Sequence, residues 1–158
     1  MRNTILTILI LAVICLAVDL NIANKRANIV TQPTEVIIDT HLQPYVFEFH
    51  GLMYDAGIEL NYGSLVMIRF SSDMRPRILG IAWGMNHNTT IININSRLFF
   101  GLSHQERRLL VFHEMAHDVF DLHHGSIGLM NTPMPLNVTK GMVDSYMVEL
   151  INHIKNGR

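Results

Sequence analysis

The chain has 158 residues, 49% of them hydrophobic and only 16% charged, with a formal net charge of -1 when its 9 histidines are neutral. That balance excludes a nucleic-acid role resting on bulk positive charge, because no excess of cations is available to meet phosphates. One cysteine, Cys15, excludes an internal disulfide framework and leaves the chemistry to His, Asp, Glu, Tyr and metal.

At the N-terminus, Arg2 precedes an apolar run from Ile5 to Val18 that only Thr7 interrupts. The run is short for a bilayer span and suits a signal-peptide core, with small-residue cleavage sites at Cys15-Leu16-Ala17 and Asn21-Ile22-Ala23. The alternative is an uncleaved membrane anchor extending to Ile22. In both cases residues 1–23 imply an exported protein, periplasmic, secreted or anchored, whose only membrane contact is this segment. Cys15 reads as an ordinary apolar residue of it, since Ile14 is bulky where a lipidation signal has a small residue. Residues 24–33 are polar, with Lys25 and Arg26, and form a linker; residues 34–158 suffice for one domain with one core.

Between His41 and Ala56, the apolar residues Leu42, Val46, Phe49, Leu52 and Met53 follow a helical period, and Gly57 stands just past them as a stop. His41 and His50 belong to this helix in structural or solvent-facing roles. Leu65 to Phe70 alternates as a strand, Val66, Ile68 and Phe70 on one face and Met67 and Arg69 on the other. Ser71 to Arg77 is a turn. Ile78 to Gly84 is apolar with two glycines, which fits a strand with a bulge or a close backbone approach, and its Trp83 is expected in the core. After the polar loop Met85–Asn88, Thr90 to Asn95 is a further strand, in which Asn93 and Asn95 share a face with Ile91 and make that side polar enough for solvent or a ligand.

Ser103 and Glu106 form a capping box ahead of Leu109-Leu110-Val111-Phe112, so a helix starts near Ser103 and carries His113-Glu114-Met115-Ala116-His117 in its third and fourth turns. Four residues apart, His113 and His117 project from one helical face, about 6 Å apart along the axis. One Zn²⁺ can bridge them, and Glu114 stands where it can take a proton from water as general base. Beyond the motif come Phe120-Asp121-Leu122-His123-His124. Were the helix to continue, His123 would lie about 9 Å past His117, too far to share an ion. A turn is needed between Phe120 and Leu122, and Asp121 is the residue there that best tolerates the left-handed region. His123 is the first choice for third ligand, His124 the reserve and Asp121 a weaker option.

After glycine-punctuated loops, Thr139 to Asn156 reads as a closing amphipathic helix, with Met142, Tyr146, Val148, Leu150 and Ile154 as its buried positions. Asp118 and Asp121 are candidates for orienting the imidazoles.

The segment HExxHxxFxxH, with Gly128-Leu129-Met130-Asn131-Thr132-Pro133 after it, resembles the metzincin zinc-protease signature HExxHxxGxxH and its Met-turn over about residues 103 to 135. Phe120 stands where that clan has glycine. The resemblance implies a zincin-like zinc metallopeptidase acting on peptides or proteins, with His113, His117 and His123 on the metal, Glu114 as base and Met130 beneath the site. It also implies that the strand ahead of the HExxH helix, Thr90 to Asn95, is an edge that pairs with extended substrate. By analogy with the related gluzincins, Glu149 is a further ligand candidate, and Tyr146 a candidate to stabilise an oxyanion. The alternative function is a non-catalytic, zinc-binding interaction module. The expected fold class is α+β: a small mixed sheet packed with the HExxH helix, one helix before it and one after.

Overall fold

The computed structural model describes residues 33–83 and 88–157, all within one unit, Thr31–Arg158. The expected export segment, the linker up to Gln32 and most of the Met85–Asn88 loop lie outside the described residues. Among the described residues, no helix is long and apolar enough to cross a membrane.

Four strands, β1 (Glu35–Ile38), β2 (Leu65–Ser71), β3 (Gly80–Ala82) and β4 (Thr89–Asn95), form one mixed sheet in the order β1-β2-β4-β3. The first three in that order run parallel and β3 runs antiparallel to β4. The expected alternation holds: Val66 and Ile68 of β2 and Thr90, Ile92 and Ile94 of β4 are buried, while Arg69 faces solvent and bonds Asn93 across the strands at 3.0 Å. Asn95 departs from expectation. It is buried, caps the next helical turn through Arg97 N–H and donates to the Ile78 carbonyl.

Helix α1 (Gln43–Asp55) begins with Pro44 in its first turn, where a missing N–H costs nothing, and gives way to Gly57 at φ 70°. His41 lies before the helix rather than in it, against the Phe70 and Phe100 rings, and His50 stacks on Tyr62. One turn, α2 (Ser96–Phe99), leads to the long helix α3 (His104–Phe120), and α4 (Lys140–Asn156) closes the fold. In α4 the buried stripe is Val143, Met147, Leu150 and Ile154, a strict helical repeat. Met142 and Val148, expected inside, are exposed, because the adjacent stripe meets the core.

The core lies between the inner sheet face and the helices, where Phe49 of α1 meets Phe112 of α3 at 5.5 Å between ring centres. Leu109 to Phe112 are all buried, so mid-α3 is wrapped on every side. Arg108, 4% exposed, ties three helices together through 2.8 Å ion pairs to Glu48 of α1 and Asp144 of α4. These contacts fix α3, and with it the HExxH residues, against the edge of the sheet.

Candidate metal centre

Helix α3 is anchored at its start by the expected capping box: Ser103 Oγ accepts from Glu106 N–H, and the Glu106 carboxylate accepts from Ser103 N–H at 2.7 Å. Glu106 also accepts from Asn137 N–H. The Ser103 bonds, then the Asn137 bond, hold its carboxyl below the usual range. At the other end Asp121 adopts φ 55° and ψ 35°, the left-handed turn required there, and its N–H returns to the Ala116 carbonyl.

That turn sends the Leu122 carbonyl back to His117 Nδ1, at 2.5 Å, and the Leu129 carbonyl, in the 3₁₀ turn Gly128–Met130, lies 2.8 Å from His113 Nδ1. A carbonyl only accepts, so both Nδ1 atoms carry the proton and both Nε2 atoms present lone pairs. His124 Nε2 joins them. The three nitrogens are 3.1 Å (His113 to His117), 3.3 Å (His113 to His124) and 3.0 Å (His117 to His124) apart. Burial pushes the His113 pKa down to about 4, against the pull of the Leu129 carbonyl, and His117 and His124 push it further; His117 is lowered chiefly by burial as well. His113 and His117 are therefore held neutral, as ligands must be.

Lone pairs converging this closely repel one another unless a cation sits between them. Tetrahedral zinc with Zn–N distances of about 2.0–2.1 Å separates its nitrogens by roughly 3.3 Å, so the donor set fits. Among the described residues, His113, His117 and His124 form a group of ligand atoms able to hold a metal ion.

The third imidazole that the structure brings to His113 and His117 is that of His124, the sequence's reserve, and not that of His123, its first choice. The reason lies in the turn. In HExxHxxGxxH the third histidine follows the glycine by three residues; here Phe120 stays helical, the left-handed residue is Asp121, and three residues further is His124. The same shift of one residue was available in the sequence once Asp121 had been identified as the turn. His123 is exposed and lines the neighbouring cavity, its carbonyl accepting from Ser126 Oγ. Carbonyls, not Asp118 or Asp121, orient His113 and His117. Asp118 instead accepts from Ile91 N–H and fastens α3 to β4.

Glu114 is 5% exposed, and its carboxylate lies against β3. A Cβ on Gly80 would fall 2.5 Å from Glu114 Oε1, so the close backbone approach expected of this glycine is made to Glu114. Burial pushes the carboxyl up to about 8, opposed by a hydrogen bond from Ala82 N–H and helped by the charge of Asp118. Two adjoining cavities, of about 560 and 540 Å³, share Gly80, Glu114 and His124 and form a cleft along β3. Leu110, Met134 and Leu136 make the second apolar, and Trp83, expected in the core, is 66% exposed just past β3.

The strand expected at the substrate edge, β4, is interior, because β3 folds back and pairs with its outer side. The edge is β3. Glu149 and Tyr146 stand away from the triad, packed on Gly128, and Met130 is fully buried beside Leu129. Comparison with protein-family models, with curated proteins and with solved structures finds no match for this chain. The fold is α+β, and its long helix, with the turn that follows it, carries a three-histidine cluster suited to a metal.

Proposed function

We propose that the chain is an exported zinc-dependent metallopeptidase that hydrolyses peptide bonds in a peptide or protein substrate. The observation that carries this reading is the buried Glu114 carboxylate, held by the edge strand beside three converging imidazoles in an open cleft. A purely structural site has no use for such a base. Zinc held by His113, His117 and His124 supplies Lewis acidity toward a carbonyl oxygen and toward water.

The protein's residues do the rest. Glu114 accepts a proton from the attacking water and delivers it to the departing amine. On either side of β3, the Leu79 carbonyl accepts from Asn95 N–H and Trp83 N–H donates to the Ile91 carbonyl, so by alternation Gly80 and Ala82 turn their main-chain groups outward from β4. Ala82 N–H holds Glu114, and the groups of Gly80 remain for pairing with an extended substrate backbone. Export rests on the apolar N-terminal run and its small-residue cleavage sites.

The test is elemental analysis of the purified protein together with a peptide-library cleavage screen of the wild type and Glu114→Gln. One zinc per chain, with turnover falling roughly 10²-fold or more in Glu114→Gln at unchanged zinc content, is the expected result. Zinc bound equally by both proteins with no cleavage by either leaves the non-catalytic zinc module. A folded protein without metal overturns both.

A further inference from the structure

The hydrogen bond that orients His113 depends on a turn that has no capping side chain of its own. Ile127 precedes the 3₁₀ turn Gly128–Met130 without any side-chain cap. Within the turn, Met130 N–H returns to the Ile127 carbonyl at 2.9 Å and Asn131 N–H to the Gly128 carbonyl at 3.2 Å. These bonds shape the turn without attaching it to the rest of the fold. Its leading N–H, on Gly128, points outward and is taken by Glu149 Oε2 of α4, 21 residues on, at 3.0 Å. The approach is so close that a Cβ on Gly128 would lie 2.7 Å from Glu149 Oε2 and 2.8 Å from the Tyr146 ring. The next residue, Leu129, supplies the carbonyl held by His113 Nδ1.

We propose that Glu149 is a positioning residue for the metal centre, acting through Gly128 and the Leu129 carbonyl to set the direction of His113. The inference rests on the reading that the histidine triad holds a metal. Glu149 does not touch the metal. It fixes the height of the turn on α4, the turn fixes the Leu129 carbonyl, and the carbonyl fixes the tautomer and ring direction of His113. Without the carboxylate, the turn keeps its apolar hold through buried Leu129 and Met130 and the bond from Gly125 N–H to the Met130 carbonyl, but loses its polar tie to α4 at the end next to Leu129, leaving the ring free to tilt. What Glu149 supplies is an acceptor oxygen, so an amide oxygen should replace it.

The test uses the full chain and metal ions alone. Zinc affinity of wild type, Glu149→Ala, Glu149→Gln and the control Val148→Ala is measured by chelator competition. Cobalt(II) spectra report the ligand geometry, and melting of the metal-free proteins reports the fold. Partners of metal-ligating histidines change metal affinity about 10- to 100-fold when removed. Glu149 is one step further out, so the expected loss in Glu149→Ala is near the low end, about 10-fold, with altered cobalt bands. Glu149→Gln and Val148→Ala should match the wild type. Wild-type affinity and spectrum in Glu149→Ala overturn the inference and leave the metal site standing. A loss of about 10-fold in Glu149→Gln also overturns it, and decides the question if Glu149→Ala does not fold. A wild type that takes up neither ion overturns this inference and the metal reading together.

Discussion

The two ends of helix α3 were specified by different kinds of physics. Its start is a reciprocal pair of hydrogen bonds between Ser103 and Glu106, residues at a fixed offset, and the structure contains both bonds. Its end is a contest among neighbours over which residue turns left-handed, and nothing about the offset to the next ligand is fixed until that contest is decided. Asp121 wins because its short polar side chain tolerates φ 55°, whereas Phe120 gains by staying helical and packing against Phe49 at 6.2 Å. A one-residue displacement of the turn is a one-residue displacement of the ligand.

The sharpest way to break that comparison is to remove each candidate third ligand. His124→Ala should lower zinc affinity by more than about 100-fold, beyond the range for outer-shell partners, while His123→Ala leaves it near the wild-type value. Chelator competition measures both. The reverse pattern would return the ligand to the spacing of the metzincin signature and place the turn at Phe120.

A smaller effect separates turn from ligand. A β-branched residue at Asp121 meets the steric cost of the left-handed region, about 1–2 kcal/mol, and Asn does not. Asp121→Val should therefore lower unfolding stability by about that amount and weaken zinc binding, since the Leu122 carbonyl and His124 are both placed by this residue. Asp121→Asn should do neither. Denaturant unfolding and zinc titration of the two variants read this directly. Equal behaviour would mean that the turn does not set the ligand.

The same contrast explains what the sequence revealed. The faces of β2, the start of α3 and the turn at Asp121 were legible because each depends on residues within a few positions of one another. β1 was not: four residues, mostly exposed, become a strand only by pairing with β2 thirty residues on. The place of β4 inside the sheet, and so the identity of the edge strand, also depends on where β3 returns. Gly80 showed a close approach but not to what, because Glu114 reaches it from a helix 34 residues later. Trp83 fell on the wrong side of the same argument: apolar neighbours in sequence suggested the core, and the strand's edge position left it exposed.

The smallest expected effect concerns the metal-free protein and tests whether the cleft is as dry as its geometry implies. Glu114 has a folded pKa of about 8 against an ordinary 4.5, so its contribution to stability is complete below pH 4.5 and is lost as pH rises through 8. His113, at about 4 against 6.5, behaves oppositely, contributing fully above pH 6.5 and losing that contribution as pH falls through 4. Between pH 6.5 and 8, the His113 contribution is complete while the Glu114 contribution is changing, and it is falling. Zinc-free protein should therefore melt at a lower temperature at pH 8 than at pH 6.5, and Glu114→Gln should remove the difference. Adding zinc should remove it as well, since a dication beside the carboxylate favours the charged form. A flat zinc-free profile in the wild type would mean that water reaches Glu114. The desolvation that raises its basicity would then be absent, and the base would act as an ordinary exposed carboxylate at the rim of the cleft.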